Sequence, residues 1–290
     1  MTRAAPTSAI DAMASVQDHR QFYADLIVRS SGSADERLIA AFANTPREHY
    51  LGPGPWPIFH GSGYLPTLSD DPRHLYQDVL VGIAPERGIN NGQPSLHARC
   101  IAACAPAAGE TVLHVGAGTG YYSAILAALV GPSGRVLAYE IEADLAARAA
   151  DNLQQLPQVQ VLATSAAGDA ALPAADVIYV CAGATHPLPP WLDALKPGGR
   201  LVFPLTPNEG YGAMLLVTRR GAQRYAAVML MRVAFIPCIG ARDDASSQAL
   251  SAALARQPIQ AVRSLRRHEK PDSSAWCVGR GWWLSTAEVA

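Results

Sequence analysis

Charge is scarce in this chain. Only 16% of its 290 residues are Asp, Glu, Lys or Arg, the net charge is -1, and no Lys/Arg block of the kind that grips a phosphate backbone is present. A non-specific nucleic-acid footprint is therefore excluded, and a neutral or small partner is expected. Cysteine is sparse as well. Cys100, Cys104, Cys181, Cys238 and Cys277 are odd in number and scattered, which argues against a disulfide framework. No C-x-x-C or nearby His pair completes a metal site, so Cys100 and Cys104, one helical turn apart, read as small core thiols and no metal is expected. Residues 1–14 lack an apolar stretch after Arg3, and no apolar run reaches membrane-spanning length. The expectation is a cytoplasmic protein with no membrane partner. Hydrophobic residues, at 49%, suffice for one large domain with appendages.

Apolar periodicity organises the chain into three parts. Residues 1–92 hold two helices, 17–29 and 35–43, the second stopped by Pro46, and then a Gly/Pro-rich stretch, 52–72, that reads as a loop serving as lid or insertion. Residues 93–241 alternate. Helix 95–103 leads into strand 111–115, helix 122–130, strand 135–139, helix 143–153, strands 159–163 and 176–181, a helix near 190–195, and strand 200–204. Unbroken apolar strands separated by helices imply an α/β fold, a doubly wound, mostly parallel Rossmann-like sheet covered on both faces. Runs 213–219 and 225–235, separated by Arg220-Gly-Ala-Gln223, predict an antiparallel hairpin closing the sheet edge. Residues 242–290 carry a helix at 248–256, a basic cluster at 263–270, and Trp276, Trp282 and Trp283. Three tryptophans suit a tail that packs on the main domain rather than a disordered one.

The densest signal is Val112-Leu-His-Val-Gly-Ala-Gly-Thr-Gly-Tyr-Tyr122, an apolar strand ending in Gly116, Gly118 and Gly120 with Ala117 and Thr119 between them. Glycines there allow a tight strand-to-helix turn and close approach of a ligand to bare backbone. A dinucleotide fingerprint needs G-x-G-x-x-G with a small third residue, but that position holds Tyr121. The G-x-G-x-G form resembles the loop of S-adenosylmethionine-dependent methyltransferases. Glu140, at the end of the next strand with Ile141 beside it, stands twenty positions after Gly120 and suits hydrogen bonds to a ribose diol; Glu142 is the near alternative. Gly168-Asp169-Ala170 follows the third strand, where a carboxylate and adjacent N–H groups can read an adenine edge.

Together with these, Thr45-Pro-Arg-Glu-His-Tyr-Leu51, Leu75-Tyr-Gln-Asp78, Gln93-Pro94, Lys196-Pro-Gly-Gly-Arg-Leu-Val-Phe-Pro204 and Arg232-Val-Ala-Phe-Ile-Pro237 resemble, in order, the protein-L-isoaspartate O-methyltransferases. The resemblance spans about residues 17–240. It implies S-adenosyl-L-methionine as cofactor and S-adenosyl-L-homocysteine as product. It also implies that Gly116, Gly118 and Gly120 lie along the methionine portion, Glu140 on ribose, Asp169 at adenine and His97 in contact with the cofactor; a partly buried helix histidine is the plainer reading of His97.

One departure concerns the acceptor. The family reads T-I-S-x-P before this helix, with the serine hydroxyl near the methyl-accepting carboxylate, whereas this chain reads Asn90-Asn-Gly-Gln-Pro94, placing Gly92 where the serine stands. Asn90 or Asn91 can donate to a carboxylate or amide oxygen instead, and Asn-Asn-Gly is equally an ordinary turn. A carboxylate acceptor needs alignment and desolvation but no base. A hydroxyl or amine would be helped by one, and His186, in Gly183-Ala-Thr-His-Pro187 after the fourth strand, is the foremost candidate, beside His60 and His97. The leading expectation is O-methylation of a peptide or protein carboxylate. The alternatives are another peptide or small-molecule acceptor, or a non-catalytic homologue engaging a partner through the tail; a dehydrogenase is the weakest.

Overall fold

The computed structural model describes residues 15–168 and 170–289. Helix α1 (Val16–Ser30) begins with a reciprocal capping box between Ser15 and Asp18, and α2 (Glu36–Asn44) is capped by Asp35. Pro46 is not only a stop: it is the N-cap of a short helix, α3 (Arg47–Leu51). The Gly/Pro-rich stretch departs from the loop expectation, because β1 (Pro57–Phe59) and β2 (Tyr64–Pro66) pair as a hairpin within it. Its three-residue strands are too short to leave a readable alternation, and Trp56, Leu51, Leu75 and Val81 give the hairpin a small core of its own. A second short pair, β3 (Gly82–Ala84) and β4 (Ile89–Asn90), adjoins the first through an Ile58–Val81 bridge.

The large sheet follows. Its elements are α4 (Pro94–Cys104), β5 (Thr111–Val115), α5 (Tyr121–Val130), β6 (Arg135–Tyr139), α6 (Ala143–Leu153), β7 (Val159–Leu162), β8 (Ala175–Val180), α7 (Pro189–Ala194), β9 (Leu195–Leu205), β10 (Gly212–Gly221) and β11 (Arg224–Val233). Beyond them lie α8 (Asp244–Arg256), β12 (Ser264–Arg267), β13 (Ala275–Gly279) and β14 (Trp282–Ser285). The ten strands run β13-β14-β12-β11-β10-β9-β8-β5-β6-β7. Strands β7, β6, β5, β8 and β9 are parallel, the expected doubly wound α/β core. The chain leaves β5 toward β6 and β7 and returns to β5's other side as β8, so the topological switch lies between β5 and β8, where α/β sheets open a crevice at the carboxyl ends of their strands. Register is aligned there, with Val115 opposite both Tyr139 and Val180.

The expected hairpin of β10 and β11 forms, but it does not close the sheet. Strand β12 pairs with β11, β14 with β12, and β13 with β14, so the tail extends the sheet by three strands. Trp276, Trp282 and Trp283 are buried, and the first two join Trp191, Phe203 and Leu265 in one core cluster. The basic cluster is locally satisfied: Arg267 bonds Asp193 at 2.6 Å, Arg266 lies over the Trp283 ring and near Glu269, and Arg263 faces Glu288. No helix among the described residues is long and apolar enough to cross a membrane. Because Trp276 sits in the shared core, Trp276→Ala is expected to lower the unfolding free energy by about 3–5 kcal/mol, measured by urea denaturation. An unchanged midpoint would mean that the tail is not part of the cooperative fold.

Candidate functional site

The turn from β5 into α5 demands its glycines. Gly116, Gly118 and Gly120 all have positive φ, and a Cβ on Gly120 would stand 2.7 Å from Leu153 Cδ1. The loop's N–H groups are engaged with the protein: Gly116 and Ala117 donate to the Tyr139 carbonyl, Gly118 to Glu140 Oε2 at 2.6 Å, and Gly120 to the Ala117 carbonyl. Donors turned inward in this way do not cradle a pyrophosphate, which separates the loop physically from a dinucleotide site. Glu140 is 6% exposed, and its other oxygen accepts the Glu142 N–H at 3.0 Å. Burial pushes its carboxyl pKa up, against the lowering effect of these backbone bonds.

At the carboxyl ends of β5, β6 and β8 lies a cavity of about 660 Å³, a size suited to a small cofactor. Its wall includes Gly116, Ala117, Gly118 and Thr119 from the loop, and Glu140 and Ile141 after β6. Asn90, Asn91, Gly92 and His97 face it from the other side. Gly120 instead caps α5. Gly168 and Ala170 are not on the wall, and Asp169 lies outside the described residues; the adjacent Thr164, Ser165, Ala166 and Ala167 line the cavity instead. The chain thus meets the cavity a few residues before the Gly-Asp pair, shortly after β7.

His186 is a further correction. It does not line the cavity. Its Nδ1 lies 3.0 Å from Thr185 Oγ1 and 3.1 Å from Asp243 Oδ2, and Asp243 accepts the Ser246 N–H as the cap of α8. The ring therefore belongs to a helix-capping cluster. Burial lowers its pKa and Asp243 opposes that shift. Sequence reasoning missed several wall residues: Cys181, the first residue after β8, and Phe59, Tyr122, Arg232 and Phe235. Strand-end position signals Cys181, whereas Phe59 reaches the wall only through the unforeseen hairpin. Cys100 and Cys104 are buried core thiols, the latter pushed up to about 12 by burial.

The Asn90–Gly92 segment is built on Arg47. Fully buried, its guanidinium donates to the carbonyls of Leu75 (2.6 Å), Gln77 (3.1 Å) and Val79 (2.7 Å) and to Asn91 Oδ1 (3.2 Å). Asn91 Oδ1 also accepts the Val81 N–H at 3.0 Å, while Asn90 Oδ1 accepts the Gly92 N–H at 2.9 Å in a tight turn. Asp78 stands in for the cap missing from α4, taking Ser95 N–H at 2.8 Å and Ser95 Oγ at 2.6 Å. Gly92 has φ +72°, and a Cβ there would fall 2.0 Å from His97 Nε2. His97 is 2% exposed, its Nδ1 is 2.7 Å from Tyr179 Oη, and its ring stacks on Tyr122 with centroids 3.8 Å apart. Burial holds the imidazole near pKa about 3, and burial does the same for His114, whose Nδ1 bonds Ser123 Oγ.

The residues fit an adenosyl ligand: a compact glycine turn, one buried carboxylate with lone pairs to spare, and a wall in which apolar side chains such as Leu80, Ile83, Ile141 and Leu145 stand among the polar ones. The profile of the protein-L-isoaspartate(D-aspartate) O-methyltransferase family matches residues 61–243. The chain belongs to this family. It is a methyltransferase whose methyl donor is S-adenosylmethionine. The protein-L-isoaspartate O-methyltransferase of Ignicoccus hospitalis is 33% identical over 176 residues, covering 59% of this chain and 82% of the relative. That of Rhodopseudomonas palustris is 33% identical over 219 residues, covering 74% and 90%. Among solved structures, a protein-L-isoaspartate O-methyltransferase superposes with TM-score 0.64 at 22% identity, covering 81% of this chain and 69% of its own. A putative one from Plasmodium falciparum, in complex with S-adenosyl-L-homocysteine, gives TM-score 0.61 at 18% identity, covering 76% and 98%. These two superpositions establish the fold. The profile leaves out the Thr45–Leu51 landmark and most of the tail.

The two buried histidines predict acid lability. Each is neutral when folded down to about pH 3, whereas unfolded histidine titrates near pH ~6.5, so between these values the unfolded state binds more protons and stability falls as pH falls. The expected slope is about 1.4 kcal/mol per pH unit for each ring. Urea midpoints from pH 6.5 to 4 measure it, and His97→Asn should remove about half; a flat profile would contradict neutral burial.

Proposed function

We propose that this methyltransferase acts on a carboxylate of a peptide or protein, of the isoaspartyl type, in the cytoplasm. The observation that carries the reading is the absence, among the described residues, of a competent base on the acceptor side of the cavity. His97 is buried with a strongly lowered pKa and its Nδ1 engaged, and His186 is elsewhere. Glu142 lines the wall but is tied to Arg87 at 2.7 Å. A site of this kind suits an acceptor that is already anionic at neutral pH and needs only alignment and exclusion of water. Bound S-adenosylmethionine supplies a methyl group on a sulfonium, and S-adenosylhomocysteine is what remains after transfer.

The chain's own residues then divide the work. Glu140 accepts the ribose hydroxyls, the Gly116–Gly120 turn gives the methionine portion room, Ile141 and the 164–167 segment flank the adenine, and Asn90 and Asn91 face the acceptor. Phe59 and Phe235 help exclude water. A different peptide or small-molecule acceptor is the second reading, favoured by Gly92 in place of the family hydroxyl. The tail as a partner-docking arm gains no support, because its tryptophans are inside the core.

Incubation with methyl-labelled S-adenosylmethionine and an isoaspartyl peptide is expected to place label in a base-labile ester, with the aspartyl isomer inert. Calorimetric binding of S-adenosylhomocysteine without transfer to that peptide would turn the assignment to the second reading. Glu140→Ala is expected to weaken S-adenosylhomocysteine binding by about 10- to 100-fold, the range for losing hydrogen bonds to a charged group at ~1.5–3 kcal/mol. Undiminished affinity would remove Glu140 from the cofactor site.

A further inference from the structure

Ten large apolar side chains stand exposed among the described residues, and four of them, Ile141, Tyr211, Ile236 and Ile239, lie on the wall of the one cavity described above. Scattered apolar residues on a surface mean little, but a concentration around a cavity marks a place that a partner covers. Ile141 stands at the adenosyl end, after β6. Tyr211 is the most exposed of the four, at 67%, and comes from the turn between β9 and β10.

Strand order separates Tyr211 from the cofactor. The ends of β6 and β5 carry Glu140 and the glycine turn, and the sheet then continues through β8 and β9 to β10. At ~4.8 Å per strand, β10 stands about 14 Å from β5 and about 19 Å from β6. A wall that reaches from Glu140 to Tyr211 therefore extends past the groups that hold an adenosyl ligand, on the side toward β10.

The turn presents the ring rigidly. Gly210 has φ +80°, and a Cβ on Gly212 would stand 2.1 Å from the Leu205 carbonyl oxygen, so the backbone on both sides of Tyr211 takes positions suited to glycine. Upstream, Arg242 Nη2 donates to the Pro207 carbonyl at 2.7 Å and to Asn208 Oδ1 at 2.9 Å. Asn208 in turn donates its backbone N–H to Ser247 Oγ at 2.8 Å and its side-chain amide to Asp244 Oδ1 at 2.9 Å. Gly212 faces Val233 across the ladder, which puts Tyr211 beside Ala234, itself on the wall. Arg232 lies on the same wall but directs its guanidinium to the Leu254 carbonyl at 3.4 Å.

We propose that Tyr211 is a specificity-determining residue: its ring packs on an apolar side chain that flanks the acceptor carboxylate in the peptide, so that acceptors with such a neighbour are preferred. It rests on the peptide-carboxylate reading above. At about 3.3 Å per residue, an extended peptide whose carboxylate lies at the end of β5 or β8 reaches the ring within roughly one to four residues. A rigid aromatic offers contact area at little cost in side-chain entropy. Apolar contacts of this kind discriminate by about 10- to 200-fold, and a ring open to solvent on one side suits the lower end.

Isoaspartyl peptides carrying Leu, Ser or Asp in turn at each of the four positions on either side test this. They are compared by initial rates at saturating S-adenosylmethionine and by calorimetric binding to the S-adenosylhomocysteine complex. Leu is expected to exceed Ser about tenfold in kcat/KM at one or more positions, through KM, and by the same factor in affinity. Tyr211→Ala should bring that ratio below threefold and Tyr211→Phe should keep it, with S-adenosylhomocysteine affinity within twofold in both. Equal values for Leu and Ser at every position, a Leu preference that survives Tyr211→Ala, or a preference for Asp would overturn the proposal. Transfer without a preference discards the role of Tyr211 and keeps the isoaspartyl assignment, whereas a Tyr211-dependent preference in binding without transfer does the reverse. Peptides neither bound nor methylated by a protein that binds S-adenosylhomocysteine discard both. Because the ring is exposed, Tyr211→Ala is expected to leave the urea midpoint unchanged; should it fail to fold, the peptide series on the natural protein decides.

Discussion

A buried guanidinium with no ion-pair partner among the described residues organises the cavity wall that residues 90–97 form. Arg47 is fully enclosed and spends its charge on three carbonyls, of Leu75, Gln77 and Val79, and on the Asn91 amide. An enclosed charge is costly unless its donors are satisfied, so the surrounding chain has little freedom: 75–79 must turn its carbonyls inward and Asn91 its oxygen. With those directions set, Asn91 is fixed in the cavity wall with its amide oxygen turned to Arg47 and the Val81 N–H. Asp78, inside the same segment, caps α4 through Ser95 and so places the first turn that carries His97. The short helix bearing Arg47 thus acts on the site without touching it.

The two sides of the cavity meet but are built differently. The glycine turn, Glu140 and the ends of β5 and β6 rest on parallel-sheet register, which aligns Val115 with Tyr139 and brings the following residues side by side. The side formed by residues 90–97 rests on side-chain hydrogen bonds and on two small hairpins. Segments built in this way can change without disturbing the core, whereas the sheet edge cannot.

Legibility followed the same division. Periodicity located β5, α5, β6 and α6 within a residue or so, because each buries a regular face over ten or more residues or a full apolar strand. The β1–β2 hairpin escaped because three-residue strands among glycines and prolines carry no period. Strand β12 escaped because Arg266 and Arg267 read as a basic cluster, although Arg267 is buried against Asp193 and Tyr225. His186 was legible as a histidine at a strand end, but the neighbour that claims it, Asp243, lies 57 positions away in sequence and only folding brings it within 3.1 Å.

By itself the amino-acid sequence determined the class of fold and, through the resemblance of its ordered motifs to one family, pointed to the methyl donor, since hydrophobic period and short motifs are local and are read along single elements. Tertiary structure decided everything that depends on distant residues meeting: that the tail extends the sheet, that His186 caps a helix cluster, and that Gly92 and His97 contend for one space. Removal of a side chain at one position is invisible as chemistry until the ring that fills the gap is known. Here that ring comes from the following helix, oriented by Tyr179 from a strand 82 residues on.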